Sequence, residues 1–400
     1  MADEGLDYSI LFNKDLPSPA GRFQGHPKYN FVGGHHDPEL QPMDGFIESA
    51  ANVFRSDPRN ISMYGFEGPQ GILPLRQFLA DKLAKHRGIN ITPEEVLITS
   101  GSGQAIELIN EVLLEEGDTV ILEGFSFAGA LTYLRRRKVN IIGVDLDRDG
   151  LRMDELEQVL GDLKNKGIRP KYIYTIPTLQ NPTGTVLTME RRHKLLSLSQ
   201  EYGVPIFEDE CYADLIFEGE YENAIRSLDD ANRVLHIGSF SKTLGPGTRL
   251  GYIVAGWEVM CRLLTRKTDA GTGVMDQMIV ADYFTNHYEK HILNVRAGLR
   301  RKCDALTAAL REHFGPTVEV EQPRGGMYLW VKLPEGVDCR QFVGPAMQEG
   351  IAFNPGPDWS ADPEAAANYI RLCFALPTEA EIWEGIEKLA RVFQLDGGKA

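Results

Sequence analysis

The chain has 400 residues, 42% hydrophobic and 25% charged, a balance that gives a globular protein a large core with room for a second unit. A formal net charge of −15 argues against nucleic acid or an anionic membrane as partner, since either would repel it. Five scattered cysteines (Cys211, Cys261, Cys303, Cys339, Cys373) without a C-x-x-C pair give no metal or disulfide framework and suit reduced thiols in a cytoplasm. No run reaches the roughly 18 apolar residues of a membrane span, and residues 1–5 offer neither a basic nor an apolar leader.

In chain order, the first 45 residues, rich in Pro, Gly and His, predict an irregular arm. From about residue 95, apolar runs at 96–99, 119–122, 141–144, 172–176, 205–207, 234–237 and 250–254 read as strands. Helical patterns at 104–114, 128–137, 154–163 and 190–202 stand between them. Strands interleaved with helices predict crossover connections and a mostly parallel sheet covered on both faces, with ligands at the strands' carboxyl ends. A helix at 293–314, strands at 318–321, 327–333 and 369–374, and helices at 339–349 and 378–393 predict a smaller α+β unit. The expected division is an arm at 1–45, a large domain at 46–293 and a small domain at 294–400.

The residues with chemistry to offer stand at strand ends. Thr99-Ser100-Gly101-Ser102-Gly103-Gln104 follows a strand and opens a helix, whose free N–H groups favour a phosphate, although Gly-Ser turns open many helices. Phe127, after the next strand, can stack on a flat cofactor or fill a core. Gln180-Asn181-Pro182-Thr183-Gly184 is either a plain turn or a source of an amide for a ring oxygen. In Phe207-Glu208-Asp209-Glu210-Cys211-Tyr212 an acid can pair with a protonated pyridine nitrogen, and a solvated acidic turn suits Glu210 better than Asp209. Ser239-Phe240-Ser241-Lys242 sets a lysine among hydroxyls at the end of another strand, where it can bond a carbonyl cofactor or simply occupy a surface turn. Arg249, beyond a Gly-Pro-Gly turn, can join the hydroxyls around an anion.

Taken together, Asn-Pro-Thr-Gly, Asp-x-x-Tyr, Ser-x-Ser-Lys and the arginine seven positions later resemble the pyridoxal-phosphate-dependent aminotransferases of class I/II. The segment Phe31-Val32-Gly33-Gly34-His35-His36-Asp37-Pro38-Glu39-Leu40 resembles their α-aminoadipate, kynurenine and aromatic subgroup. The resemblance implies fold type I, a three-layer α/β large domain around a mostly parallel seven-stranded sheet, with a smaller α+β domain. It implies a cytoplasmic homodimer that moves the amino group of an L-amino acid to a 2-oxo acid such as 2-oxoglutarate. Lys242 would then bond the cofactor and move the proton, Asp209 would pair with the pyridine nitrogen, and Asn181 and Tyr212 would bond the ring oxygen. Phe127 would stack on the ring, while Ser102, Gly103, Gln104, Ser239, Ser241 and Arg249 would hold the phosphate. Tyr64, in Tyr64-Gly65-Phe66-Glu67-Gly68, would reach the phosphate in the partner subunit. Gly34, Asn181 and Arg371 would receive the substrate, Arg371 gripping its α-carboxylate.

Two departures stand out. His35 and His36 occupy positions where the subgroup usually carries Leu-Pro, at the substrate entrance. They read either as hydrogen-bonded arm residues or as an extra acid–base pair that would turn the reaction to elimination, cyclisation or oxidation. Phe127 stands where relatives often carry tyrosine, which leaves stacking intact. The arm aromatics Phe12, Phe23, Tyr29 and Phe31 suggest a bulky, aromatic or long-chain donor, unless they only pack on the fold. An effector module of a transcription regulator would need a DNA-binding segment upstream, and only the arm precedes the first long helical pattern.

Overall fold

The computed structural model describes residues 6–23, 25–65, 67–219 and 222–394; residues 1–5, where the lack of a leader is read, and Phe66 of the tyrosine motif lie outside them. Seven strands form the main sheet: β1 (Val96–Thr99), β2 (Thr119–Glu123), β3 (Asn140–Val144), β4 (Ile173–Thr175), β5 (Ile206–Asp209), β6 (Val234–Ser239) and β7 (Gly251–Val254). Their order is β1-β7-β6-β5-β4-β2-β3. Only β7 runs antiparallel to its neighbours, so the sheet is mostly parallel, as expected.

Every strand except the edge strand β3 is buried along its whole length, because helices cover both faces. The longer helices are α1 (Met43–Phe54), α2 (Leu73–Arg87), α3 (Ser102–Leu113), α4 (Ala128–Arg136), α5 (Met153–Asn165), α6 (Met189–Tyr202), α7 (Trp257–Arg266), α8 (Val274–His313) and α9 (Glu379–Phe393), with short ones at Arg59–Ser62 and Val343–Gln348. Successive strand residues serve opposite layers. Val120 and Leu122 pack with Ile109 of α3 and Leu134 of α4, whereas Ile121 packs with Leu156 of α5 and Leu198 of α6. Local chemistry sets the ends of α6: the Thr188 hydroxyl accepts from the Arg191 N–H, and Gly203 closes the helix at φ +64°.

A four-stranded antiparallel sheet, β8 (Glu319–Val320), β9 (Tyr328–Lys332), β10 (Asn354–Pro355) and β11 (Tyr369–Cys373), forms the smaller unit in the order β8-β9-β11-β10. The helix expected to start near 293 is the second half of α8, which runs unbroken for 40 residues. Its first half buries Val280 and Phe284 with α2, β1 and β7, and its second half buries Leu299, Leu306 and Leu310 beside Ile386 and Leu389 of α9. The expected boundary at 294 therefore falls inside one helix that serves both cores.

The arm is not uniformly loose. Tyr29 and Phe31 are fully buried in the core shared with α9, while Phe12 and Phe23 are exposed. The Phe31 N–H donates to Ala352 O (2.9 Å), and the Cys373 N–H donates to Phe31 O (2.8 Å). Beyond this anchor the chain crosses to the main sheet, where His36 meets the Ser241 carbonyl at 3.0 Å. Residues 31–36 thus run from the small sheet to the loop after β6.

Candidate active site

The loops at the carboxyl ends of β1, β2, β4, β5 and β6 carry the predicted residues. Gly101, at φ +84°, opens α3 without a side-chain cap, so the N–H groups of the first turn keep no side-chain acceptor. An added Cβ at Gly101 would lie 2.6 Å from Arg249 Nη2, which places the guanidinium against the helix N-terminus. Gly251 makes the same cradle tight from the other side, since a Cβ there would lie 2.7 Å from Ser102 N. Arg249 itself is held left-handed at φ +50° and donates to Pro246 O at 3.0 Å. The Ser239 hydroxyl accepts from the Ser241 N–H (3.1 Å), leaving its own proton for an anion. Gln104 differs from expectation: its side chain is engaged by Ser100 N (2.8 Å), Lys267 (3.1 Å) and Asp269 (2.7 Å), so only its backbone N–H faces this turn's anion site.

Asp209 ends β5, almost fully buried, with Oδ2 accepting from the Tyr174 hydroxyl (2.8 Å) and Oδ1 from the Cys211 N–H (3.2 Å). Burial pushes its carboxyl above the usual range, against the pull of those donors. A cationic ring nitrogen is the partner such a carboxylate lacks. Glu210 is not solvated, contrary to expectation. It is 6% exposed and bonded by Arg87 (2.7 Å), Arg192 (3.5 Å) and Thr178 (2.9 Å). Glu208 is likewise buried, held by His236 Nδ1 at 2.8 Å and by the Ile225 N–H. All three acids in the row are therefore inside, each with its own partners.

Asn181 joins the two halves of the site. Its Nδ2 donates to the Tyr212 hydroxyl at 2.7 Å, and its Oδ1 accepts from Arg371 Nη1 at 3.1 Å. Arg371, 2% exposed, also donates through Nη2 to Gly33 O (3.1 Å) and Asn354 Oδ1 (2.7 Å). Its guanidinium is sandwiched between the rings of Tyr328 and Trp359, at 3.9 and 3.6 Å from their centroids. Nε is buried with no partner. Of five N–H donors, three are used by the protein, leaving Nε–H and one Nη1–H.

Lys242 lies where these groups converge. An added Cβ at Gly34 would collide with Lys242 Nζ and come within 2.5 Å of the Tyr328 hydroxyl, so the arm passes close over both groups. His36 is buried on the Ser241 carbonyl, and burial, reinforced by the Lys242 charge, lowers it to about 4, so it is neutral at pH 7. His35 is half-buried, its ring folded against Gly33, and is lowered by burial, His26 and Lys242. Phe127 precedes α4, its ring against Gly129 and 6.0 Å from Trp359. Tyr64 is 92% exposed within this single chain.

Tyr328, Trp359 and Asn354 had no signal of their own in the sequence. Register brings Tyr328 and Asn354 to the site: Trp330 and Asn354 both pair with Arg371, and Tyr328 lies two residues from Trp330 on the same strand face. The residues present fit a phosphorylated pyridine aldehyde. There is a capless helix N-terminus with an arginine and serine hydroxyls for phosphate, a buried carboxylate for a ring nitrogen, and a lysine between them and Arg371.

Residues 48–389 match the family model described as aminotransferase class I and II. The chain is similar to aromatic-amino-acid aminotransferase 1 of Thermococcus litoralis, at 33% identity over 91% of this chain and 88% of that one. It is also similar in structure to Pyrococcus horikoshii kynurenine aminotransferase, solved in complex with PMP, KYN and KYA. There the TM-score is 0.89 and the identity 32%, covering 97% of this chain and 98% of that one. LysN, an α-aminoadipate aminotransferase of Thermus thermophilus complexed with N-(5'-phosphopyridoxyl)-L-leucine, matches at a TM-score of 0.86 and 32% identity over the same shares.

Proposed function

This chain belongs to the class I and II aminotransferases, and from that premise we propose how its own residues carry out amino-group transfer. The observation that supports the reading best is the meeting of Lys242, Asn181 and Arg371 around Gly33-Gly34. Pyridoxal phosphate, when bound, supplies a carbonyl to receive the amino group and a ring that spreads the charge left on the substrate carbon. Ser102, Gly103 and Gln104 hold its phosphate through backbone N–H groups, joined by Ser239, Ser241 and Arg249. Asp209 keeps the ring nitrogen protonated, Asn181 and Tyr212 bond the ring oxygen, and Phe127 stacks on the ring.

Arg371 orients the amino acid by its α-carboxylate, its guanidinium plane fixed between Tyr328 and Trp359. The substrate Cα–H then faces Lys242, whose amine takes the proton and later returns it. A 2-oxo acid such as 2-oxoglutarate presents the same carboxylate to Arg371 for the reverse half-reaction. The donor is an L-amino acid with a long or aromatic side chain, as acted on by the named relatives; of the arm aromatics, Tyr29 and Phe31 do not bear on it, because they are core residues. His36, held by Nε2 on the Ser241 carbonyl, reads as a hydrogen-bonded residue of the arm.

A second copy of the chain completes the site. Met43, Ile47, Phe54, Ile61 and Met63 are all more than half exposed beside Tyr64, an apolar surface that a partner would cover while receiving the tyrosine. No helix among the described residues is long and apolar enough to cross a membrane, and the acidic chain is assigned to the cytoplasm. The test is an absorption titration of the holoenzyme with a panel of L-amino acids. Conversion of the cofactor's aldehyde form to its amine form, reversed by 2-oxoglutarate, is expected. Ammonia release or oxygen uptake without the amine form refutes the reading.

A further inference from the structure

The amine of Lys242 has a neighbour that the sequence did not announce. The space beside Gly34 Cα is closed by two atoms, Lys242 Nζ and the Tyr328 hydroxyl, both of which an added Cβ would strike. Tyr328 is 7% exposed, and its ring is fixed on three sides. Arg371 lies over its face at 3.9 Å, Tyr212 stands edge-on at 5.7 Å and 78°, and its strand is clamped between β8 and β11. A phenol held this firmly has little freedom to place its hydroxyl elsewhere. Phenylalanine would supply the same stacking and packing but not the hydroxyl, which also faces the hydroxyl of Tyr212. Tyr212 already has the Asn181 amide on its own hydroxyl at 2.7 Å, and no protein group is assigned to the amine.

We propose that Tyr328 is a positioning residue for Lys242: its hydroxyl accepts a hydrogen bond from the amine and keeps it on the side where the substrate's proton leaves. The inference rests on the amino-group transfer assigned above. An ammonium has three donors and no acceptor, so a half-buried lysine needs an oxygen within reach. The hydroxyl is the oxygen that shares the space over Gly34 with the amine, carried on the same strand face that builds the Arg371 stack. One rigid element thereby sets both the carboxylate grip and the proton carrier, which fixes their separation. The other titratable groups facing the amine are His35 and His36 from the arm, Cys211 after β5 and Cys373 of β11, with Tyr212 beyond Tyr328. Exchange of Tyr328 for Phe leaves all of them in place.

Two readouts test the inference. In the protein stripped of cofactor, the pH dependence of Lys242 acetylation by acetic anhydride is followed by peptide mass spectrometry. Tyr328→Phe removes an acceptor of the charged amine and is expected to move the midpoint down by about 0.5 to 1 pH unit. In the holoenzyme turning over an α-deuterated amino acid, the same variant is expected to lose roughly tenfold in kcat with little change in KM and to show a larger primary isotope effect. A midpoint and an isotope effect both unchanged overturn the inference. Should Tyr328→Phe fail to fold, Gly34→Ala keeps the phenol but wedges a methyl between hydroxyl and amine, and both shifts are expected again. A wild-type enzyme that transfers no amino group refutes the reaction itself, whereas wild-type behaviour of Tyr328→Phe in an active enzyme refutes this inference alone.

Discussion

Replacing Arg371 by lysine keeps the charge and removes the planar fork. In the structure the fork makes three protein hydrogen bonds, to Asn181, Gly33 and Asn354, and lies between two aromatic rings. The substrate's α-carboxylate is assigned to this planar guanidinium. A lysine ammonium in the same slot can offer the carboxylate one bond in place of two. Loss of one charge-assisted bond costs about 1.5–3 kcal/mol, or roughly 10- to 150-fold in kcat/KM. The loss should fall on amino donor and 2-oxo acceptor alike, because both carry the α-carboxylate, and more on KM than on kcat. Steady-state kinetics of the two half-reactions, with a thermal melt to control for folding, measures this. If kcat/KM for both substrates stays within about threefold of wild type, Arg371 does not hold the carboxylate.

Glu210→Ala leaves the guanidinium groups of Arg87 and Arg192, 1% and 0% exposed, without their shared carboxylate. The expected loss is about 3–5 kcal/mol, which at roughly 2.1 cal/mol/K per residue over this length lowers Tm by about 4–6 °C. A variant that melts with wild type would overturn the pairing. His36, lowered to about 4 by burial, stays neutral in the fold while the unfolded imidazole takes a proton below about 6.5. Stability should therefore fall as pH drops through that window, by up to about 3 kcal/mol, and His36→Asn should blunt the slope in urea titrations. Glu123 behaves oppositely. Fully buried among Thr175, Gln180 and the Ile176 N–H, it is raised by burial to about 7. The folded state holds a proton that the unfolded chain loses above about 4.5, so stability should fall as pH rises from there to about 7. Glu123→Gln should flatten that fall, and an unflattened profile would assign it to another group.

Much of the site was legible because the chemistry rests on short local patterns. Gly101-Ser102 had to open a helix, Lys242 had to follow a strand, and Asn181 sat in a turn; each stands where its neighbours dictate. The alternation of apolar runs and amphipathic stretches likewise set the α/β layering, since a chain that buries strands on both faces must cover them with helices. Glu210 was misread because nothing near it in sequence reveals the two arginines that neutralise it, 123 and 18 residues away. The start of α8 was missed because its first half buries residues against α2 and β7, partners that leave no mark on its own spacing.

The sequence by itself determined the layering, the strand ends that carry chemistry and the identity of Lys242, Asp209 and Asn181 as their occupants, since each depends on residues within a turn or two of chain. Tertiary structure alone decided that β7 runs antiparallel, that α8 serves both cores, and that Gly34, Lys242 and Tyr328 meet at one point. Periodicity encodes that a face is buried but not which face it meets. Three segments far apart in the chain share a site only because the arm, anchored through Phe31 on the small sheet, must cross the main one to reach His36.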